Sequence, residues 1–216
     1  MSSASTIRKA AKHLVEWDEK ATEAAAELRD TPISGAIAPV GKLGDQPELR
    51  ALSAVVLVAG LLASKPRLLR AGLRMLVAHE SATLAKDAVK NQVDRTRPRS
   101  AERRGEGAPR PGNSSAKEES SFPSGHSAGA IAVASAFARE FPEHRSAAMG
   151  AALVIAAAQV PRASHYPTDI LAGLALGLGV ESLINAGWLL AEGDDVQASS
   201  ITAAAPASAE ETATIP

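Results

Sequence analysis

Two histidines and several cationic side chains in this chain could bind a phosphate group and react with it. His126 follows Pro123, Ser124 and Gly125 at the start of an Ala-rich run. A turn of this kind that opens a helix presents unpaired backbone N–H groups and the positive end of the helix dipole, which bind anions. Taken alone, the same residues fit an ordinary helix start with Ser124 as its N-cap equally well.

A second pattern lies upstream, where Lys90 and Arg97 are seven residues apart and Pro98 follows. In a helix this spacing is close to two turns, so both side chains would point from one face. The pattern predicts a helix over residues 67–97 that presents two cations to a phosphate. The alternative is a solvated basic helix end that complements the helix dipole.

A third pattern lies downstream, where His165 precedes Asp169 by four residues. The first turn of a helix would stack these two side chains. A carboxylate on one ring nitrogen fixes the imidazole tautomer and leaves the other nitrogen free to attack. The alternative is a His–Asp helix pair without chemistry.

In this order, KxxxxxxRP, PSGH and HxxxD resemble the motifs of the type 2 phosphatidic acid phosphatase superfamily, which includes lipid phosphate phosphatases, bacterial acid phosphatases and vanadium haloperoxidases. The resemblance implies phosphoryl transfer without metal or cofactor. His165 would be the nucleophile, Asp169 would orient its ring, and His126 would be the general acid–base. The resemblance further implies that the phosphate oxygens are held by Lys90, Arg97, Ser124, Gly125 and Arg162.

The third motif departs from the family pattern, which places an arginine six residues before the nucleophilic histidine. Gln159 occupies that position, and Arg162 is the nearest arginine. Pro161 would break the preceding helix and allow Arg162 to turn back toward His165. Either Arg162 takes over the contact with phosphate, or one contact is missing.

The elements that must position these residues are helical. Hydrophobic residues make up 45% of the chain and aromatic residues only 3%, which favours closely packed helices with small interfaces. We predict an all-α protein, a single bundle of about six helices embedded in a membrane. The predicted parts are an N-terminal amphipathic helix and connector (1–48), the bundle (49–191, with a mobile loop at 99–121) and a disordered tail (192–216).

Further patterns specify the helices. Leu14 and Trp17 mark the apolar face of the N-terminal helix, and Gly173 and Gly177 form a small-xxx-small contact face. The hydrophobic run 50–64 either crosses a thin bilayer or is a buried core helix. In the long helix, His79 and Glu80 are interpreted as a structural pair. The Gly-rich loop 41–45, which precedes the bundle, is given no catalytic role.

Composition excludes several classes of function. The chain has no cysteine, which excludes a thiolate zinc site and a cysteine nucleophile. The net charge of −1 selects no polyanionic partner, and the basic run 95–110 lacks the aromatic residues that stack on nucleic acid bases. The sequence does not indicate the oligomeric state.

The resemblance implies a membrane lipid as substrate: an isoprenyl diphosphate, a phosphatidate-type lipid or a lipid A phosphate. It also implies a place in the bacterial inner membrane with the active site on the extracytoplasmic face. Two alternatives stay open. One is a soluble non-specific acid phosphatase, and the other is a non-catalytic helical membrane protein whose site has decayed at Gln159.

Overall fold

The computed structural model describes residues 3–27, 31–104 and 107–203, which form eight α-helices, a two-stranded ribbon and two 3₁₀ turns. The all-α prediction is confirmed. The helices are α1 (Ser3–Ala26), α2 (Pro32–Lys42), α3 (Gln46–Leu62), α4 (Pro66–Lys90), α5 (Pro98–Arg104), α6 (Gly125–Glu140), α7 (Arg145–Ala157) and α8 (Pro167–Ala203). The antiparallel strands are β1 (Val93–Asp94) and β2 (Arg110–Pro111), and the 3₁₀ turns are Lys117–Glu119 and Pro142–His144.

Helix α6 is the centre of the bundle, because eleven of its sixteen residues are buried, most of them alanine. Side chains this small let neighbouring helices approach closely. A Cβ atom added to Gly173 of α8 would lie 2.4 Å from the carbonyl oxygen of Ser124, and one on Gly177 would lie 2.3 Å from that of Ala128. The predicted contact face of Gly173 and Gly177 is therefore confirmed.

Helices α3 and α4 form a tight hairpin. Gly60 and Gly72 each face the backbone of the other helix at a distance that leaves no room for a side chain. Arg50 of α3 also donates two hydrogen bonds, of 2.6 and 2.8 Å, to the carboxylate of Glu80 in α4. The structural role predicted for Glu80 is thus observed, and its partner comes from the neighbouring helix.

Helix α4 ends earlier than the sequence predicts. Asn91 is its C-terminal cap, and the chain then enters β1. Beyond β1, the backbone N–H of Arg95 donates to the carbonyl of Glu119 at 2.8 Å, and that of Arg97 donates to Glu118 at 2.7 Å. These longer-range bonds replace helical ones, so the prediction that one helix carries both Lys90 and Arg97 is wrong.

The segments outside the bundle are more regular than predicted. The connector contains α2, because Pro32 is well placed to begin a helix and the chain packs against α7. The predicted mobile loop 99–121 carries most of α5, β2 and a 3₁₀ turn. Helix α8 continues to Ala203, into the first part of the tail 192–216 for which the sequence predicts disorder, and residues 204–216 lie outside the described part.

The N-terminal helix is present, but its buried face differs from the predicted one. Leu14 and Trp17 are 55% and 50% exposed, whereas Asp18 and Thr22 are buried. Hydrogen bonds of Asp18 to the body of the protein decide this orientation, as described below. The chain divides into a unit of Met1–Glu181 and a unit of Ser182–Pro216, and every residue of the candidate site belongs to the first.

Candidate active site

His165 lies in the turn between α7 and α8 and is 1% exposed. Its Nδ1 lies 2.7 Å from the carbonyl oxygen of Ser121. A carbonyl only accepts, so Nδ1 carries the proton and Nε2 keeps its lone pair. Burial lowers the pKa of His165 to about 4, which keeps the ring neutral near pH 7. The ring is thus held as a nucleophile.

Asp169 supports this ring in two ways. Its Oδ2 is 3.8 Å from Nδ1 of His165, an ion-pair contact longer than a hydrogen bond. The same oxygen accepts from the hydroxyl of Ser121 at 2.5 Å and from the backbone N–H of Tyr166 at 2.9 Å. Asp169 thus contacts the ring as an ion-pair partner, and it also fixes Ser121, whose carbonyl takes the shorter hydrogen bond from Nδ1.

His126 faces the same cavity from the first turn of α6. The centroids of its ring and the ring of His165 are 5.8 Å apart. Its Nε2 lies 2.5 Å from Oδ1 of Asp45, which belongs to the loop between α2 and α3. Burial lowers the pKa of His126, and the charge of Asp45 opposes that shift. The pair has the form of an acid–base group with its own carboxylate.

Lys90 and Arg97 are brought together by the segment that follows α4. The ammonium group of Lys90 donates to the carbonyl of Ser120, and Nε of Arg97 donates to that of Lys117 at 2.8 Å. Burial, with Arg97 nearby, lowers the pKa of Lys90 to about 8. Both cations line the cavity, as the sequence predicts, although they do not share a helix.

The N-terminus of α6 divides the roles of its residues. Gly125 lines the cavity, and a Cβ there would meet the side chain of Lys86 at 2.9 Å. The hydroxyl of Ser124 accepts from the backbone N–H of Ser127 at 3.4 Å and from its hydroxyl at 2.9 Å. Ser124 is fully buried and is absent from the cavity lining, so its side chain serves as the helix cap.

Arg162 and Gln159 occupy different environments. Arg162 lines the cavity, and its Nη1 is buried without a hydrogen-bond partner among the described residues. Gln159 is fully buried and donates to the carbonyls of Gly41 and Ile155, both at 3.1 Å. Ala163 has a φ of 49°, a left-handed conformation that is strained for alanine and helps to reverse the chain here.

The cavity itself has a volume of about 1150 Å³. Among the predicted site residues, those that line it are Lys90, Arg97, Gly125, His126, Arg162 and His165. Further cationic side chains in the lining are Lys86, Arg99 and Lys117. Within the described ranges, no group of three or more His, Cys, Asp or Glu residues is placed to hold a metal ion. The cavity is therefore suited to an anionic group.

Several residues of the site were missed from the sequence. Asp45 lies in the Gly-rich loop that received no catalytic role, although its position before a helix was visible. Ser121 acts through a backbone carbonyl, which leaves no mark in the sequence. Arg95 is fully buried beside Asp169, and its position between Lys90 and Arg97 was the available signal.

The helical bundle with two facing histidines and converging cations defines a phosphate-processing class of protein. The sequence profile of the PAP2 superfamily matches residues 71–188, which is more than half of the chain. The chain belongs to the PAP2 superfamily. This confirms the resemblance drawn from the motifs.

Two curated relatives are similar over shorter stretches. A lipid A 1-phosphatase of Rhizobium etli is 46% identical over 66 residues, 31% of this chain and 28% of the relative. A lipid A 1-phosphatase of Rhizobium johnstonii is 46% identical over 57 residues, 26% of this chain and 23% of the relative. The matches thus span about a quarter of the length of these relatives.

A solved structure supports the fold. The transmembrane PAP2-type phosphatidylglycerolphosphate phosphatase from Bacillus subtilis superposes with a TM-score of 0.60 at 21% identity. The match covers 86% of this chain and 96% of that protein. The predicted enzyme class, a phosphoric ester hydrolase, agrees with the names of the two curated relatives.

Proposed function

We propose that this protein is a metal-independent phosphatase that hydrolyses a phosphate ester of a membrane lipid through a phosphohistidine on His165. One observation carries the proposal: His165 is held neutral with its Nε2 lone pair available, and His126 lies across the same cavity. A neutral imidazole is a competent nucleophile, and a second imidazole that lines the same cavity can act as its acid–base partner.

The first chemical step forms the phosphohistidine. Nε2 of His165 attacks phosphorus, and the P–N bond forms as the bond from phosphorus to the lipid oxygen breaks. His126 gives its proton to the leaving oxygen, which departs as an alcohol. Charge on the phosphoryl oxygens is met by the backbone N–H of Gly125 and by the cations of the cavity, Lys90, Arg97 and Arg162.

The second step returns the enzyme to its starting state. His126, now neutral, takes a proton from a water molecule whose oxygen attacks the phosphohistidine. The P–N bond breaks, inorganic phosphate leaves, and His165 recovers its lone pair. Asp45, 2.5 Å from Nε2 of His126, stabilises the imidazolium that forms in each cycle.

The outer surface supports a membrane lipid as the substrate. Helical segment Pro167–Ala191 has a hydropathy of 1.6 and is long and apolar enough to cross a membrane, and only 22% of its most apolar window is buried. A core helix of a soluble protein would be mostly buried. Large apolar side chains are also exposed along three helices: Leu52, Val55, Val58 and Leu61 of α3, Leu73, Val77 and Leu84 of α4, and Leu171 and Leu178 of α8.

The named relatives suggest which lipid to test first. A glycolipid 1-phosphate of the lipid A type is our first candidate, and a phosphatidylglycerophosphate is the second. We place the protein in the bacterial inner membrane with its cavity on the extracytoplasmic face, the arrangement that the family resemblance implies.

Phosphate release from detergent-solubilised protein tests the proposal. The panel contains lipid A, phosphatidate, phosphatidylglycerophosphate, an isoprenyl diphosphate and a small soluble phosphomonoester, each with and without a chelator. We expect turnover of a lipid substrate that the chelator leaves unchanged. Loss of activity in chelator that one metal restores would refute the mechanism, and preference for the soluble ester would favour an acid phosphatase.

A substitution pair tests the nucleophile. His165→Ala should abolish both turnover and the phosphohistidine trapped from labelled substrate. His13→Ala is the matched control, because His13 is an exposed residue of α1. Near wild-type turnover by His165→Ala would place the nucleophile elsewhere.

A further inference from the structure

We propose that Asp18 of the N-terminal helix is a positioning residue for catalysis, acting through Arg95 on Asp169 and on the turn that carries His165. Asp18 lies far outside residues 71–188, the part of the chain that defines the family. The inference rests on the proposed function, because it concerns how the nucleophile of that reaction is held.

Arg95 is the hub of the connection, and it is 2% exposed. Its Nη2 donates to Oδ2 of Asp18 at 2.7 Å, and its Nη1 donates to Oδ1 of Asp169 at 2.6 Å. Its Nε donates to the carbonyl of Gly107 at 2.9 Å, and the guanidinium stacks 4.0 Å over the ring of Tyr166. One planar group thus fixes α1, the segment after α5 and the start of α8 together.

Asp18 also holds the first turn of α8 directly. Its Oδ1 accepts from the backbone N–H of Thr168 at 2.9 Å, and its Oδ2 accepts from the hydroxyl of Thr168. A carboxylate at this place satisfies a helix N–H that has no partner within the helix and complements the helix dipole. The residue that Asp18 fixes is therefore the immediate neighbour of Asp169.

From Asp169 the connection continues to the nucleophile. Asp169 accepts from the hydroxyl of Ser121, and the carbonyl of Ser121 accepts from Nδ1 of His165. The order is Asp18, Arg95, Asp169, Ser121 and His165, with a hydrogen bond or ion pair at every step. The first three residues contain two carboxylates and one guanidinium, so they place net negative charge beside His165, which becomes positive when phosphorylated.

The orientation of α1 supports a purpose beyond packing. An amphipathic helix normally buries its apolar residues, yet α1 leaves Leu14 and Trp17 half exposed and buries Asp18. Burial of a carboxylate is costly unless it is paired and hydrogen-bonded. Asp18 meets this condition only because it faces Arg95 and Thr168.

The test compares Asp18→Asn with Glu23→Gln in the full-length protein in detergent. Both substitutions remove one carboxylate charge from α1, but Glu23 is exposed to solvent. We expect Asp18→Asn to lower kcat about 10- to 100-fold, since a small misplacement of reacting groups costs this much, while KM changes less than threefold. Glu23→Gln should match the wild-type protein.

Two measurements distinguish a positioning role of Asp18 from general unfolding, and they also distinguish failure of this inference from failure of the proposed function. Tungstate affinity reports the phosphate-binding cations and should be preserved in Asp18→Asn. Nitrogen NMR of labelled imidazoles reports the tautomer of His165 without turnover, and we expect the Nδ1–H form to lose its dominance in Asp18→Asn but not in Glu23→Gln. If no substrate is turned over by the wild-type protein, the proposed function fails, whereas the tautomer comparison still decides this inference.

A milder variant covers the case in which Asp18→Asn does not fold. Thr168→Val removes only the hydroxyl that bridges Arg95 and Asp18, and a smaller loss of kcat with the same tautomer change is expected. Unchanged kcat and an unchanged tautomer in the folded variant would overturn the inference. A loss of kcat accompanied by an equal loss of tungstate affinity would overturn it as well, because that pattern indicates general damage to the cavity.

Discussion

At the scale of single residues, the clearest question is which side chain completes the cationic lining. Lys90 and Arg97 approach the cavity from the segment around β1, and Arg162 approaches from the turn after α7. Charge on three equatorial oxygens is best met by donors from more than one direction. The buried Nη1 of Arg162 has no partner in the described part of the chain, whereas both donors of the Gln159 amide reach carbonyls.

We therefore predict that Arg162→Ala loses about 10²–10³ in rate, the usual cost of removing one donor to a transition-state oxygen. Gln159→Ala should mainly lower the melting temperature, because it removes buried hydrogen bonds to Gly41 and Ile155. Steady-state kinetics and thermal unfolding of both variants check this. A large loss of rate in Gln159→Ala with an unchanged rate in Arg162→Ala would show that Gln159 performs the arginine's role.

A second prediction concerns Asp45 and the pH dependence of catalysis. His126 must be protonated to act on the leaving group, so kcat/KM should fall as pH rises through its pKa. Asp45 raises this pKa against the effect of burial. Asp45→Asn should therefore lower the pKa of His126 and move the alkaline fall of kcat/KM to lower pH.

The control for this shift is Glu48→Gln. Glu48 lines the same cavity, but the hydrogen-bond partner of His126 is Asp45. The pH profile of Glu48→Gln should overlay that of the wild-type protein more closely than the profile of Asp45→Asn does. An unchanged profile for Asp45→Asn would remove Asp45 from the acid–base pair.

At the scale of elements, the contact between α6 and α8 sets the geometry of the site. The backbone N–H of Ser124 donates to the carbonyl of Asp169 at 3.0 Å, so the starts of the two helices are joined directly. Gly173 lies one turn further along, where its missing Cβ allows this approach. The two helix starts carry His126 and Asp169, so the distance between the helix starts sets the distance between these two site residues.

Gly173→Ala should accordingly damage both stability and rate. Its Cβ would lie 2.4 Å from the carbonyl oxygen of Ser124, so α8 must shift, at a cost of about 1–3 kcal/mol. Gly179→Ala is the control on the same helix, since a Cβ there meets nothing within 4 Å and alanine gains about 1 kcal/mol of helix propensity. Melting temperature and kcat should fall only in Gly173→Ala, and equal behaviour of the two variants would contradict this account.

At the scale of the whole molecule, the protein buries small residues and exposes large apolar ones. This is the reverse of the distribution that a protein in water adopts. The buried core is built mainly from alanine, while leucine and valine side chains of α3, α4 and α8 are exposed. In lipid this distribution carries no penalty, because helices associate there through close packing of small residues.

We predict that the protein stays with the membrane after an alkaline carbonate wash and requires detergent for extraction. Sedimentation of washed membranes, with immunodetection of the protein in pellet and supernatant, measures this. A peripheral protein from the same cells serves as the release control. Clean release into the supernatant would contradict membrane embedding and shift the expected substrate toward small phosphoesters.

The sequence by itself predicted most of the side chains that bring charge and imidazole groups to the cavity, because side-chain identity is local. Lys90, Arg97, His126, Arg162 and His165 were all found from motif spacing, and all of them line the cavity. The helix that opens before His126 and the helical turn that carries Asp169 were also predicted, since the flanking Pro and Gly residues lie within each segment.

Only the tertiary structure decided how these groups are held. Helix α4 ends at Lys90 because residues 95–97 find backbone partners at Glu118 and Glu119, more than twenty positions away. The ring of His165 is fixed by a backbone carbonyl. The carboxylate that contacts His126 belongs to Asp45, in a loop for which the sequence predicted no catalytic role. Such partners depend on which segments the fold brings together, so their positions are set by packing and not by spacing along the chain.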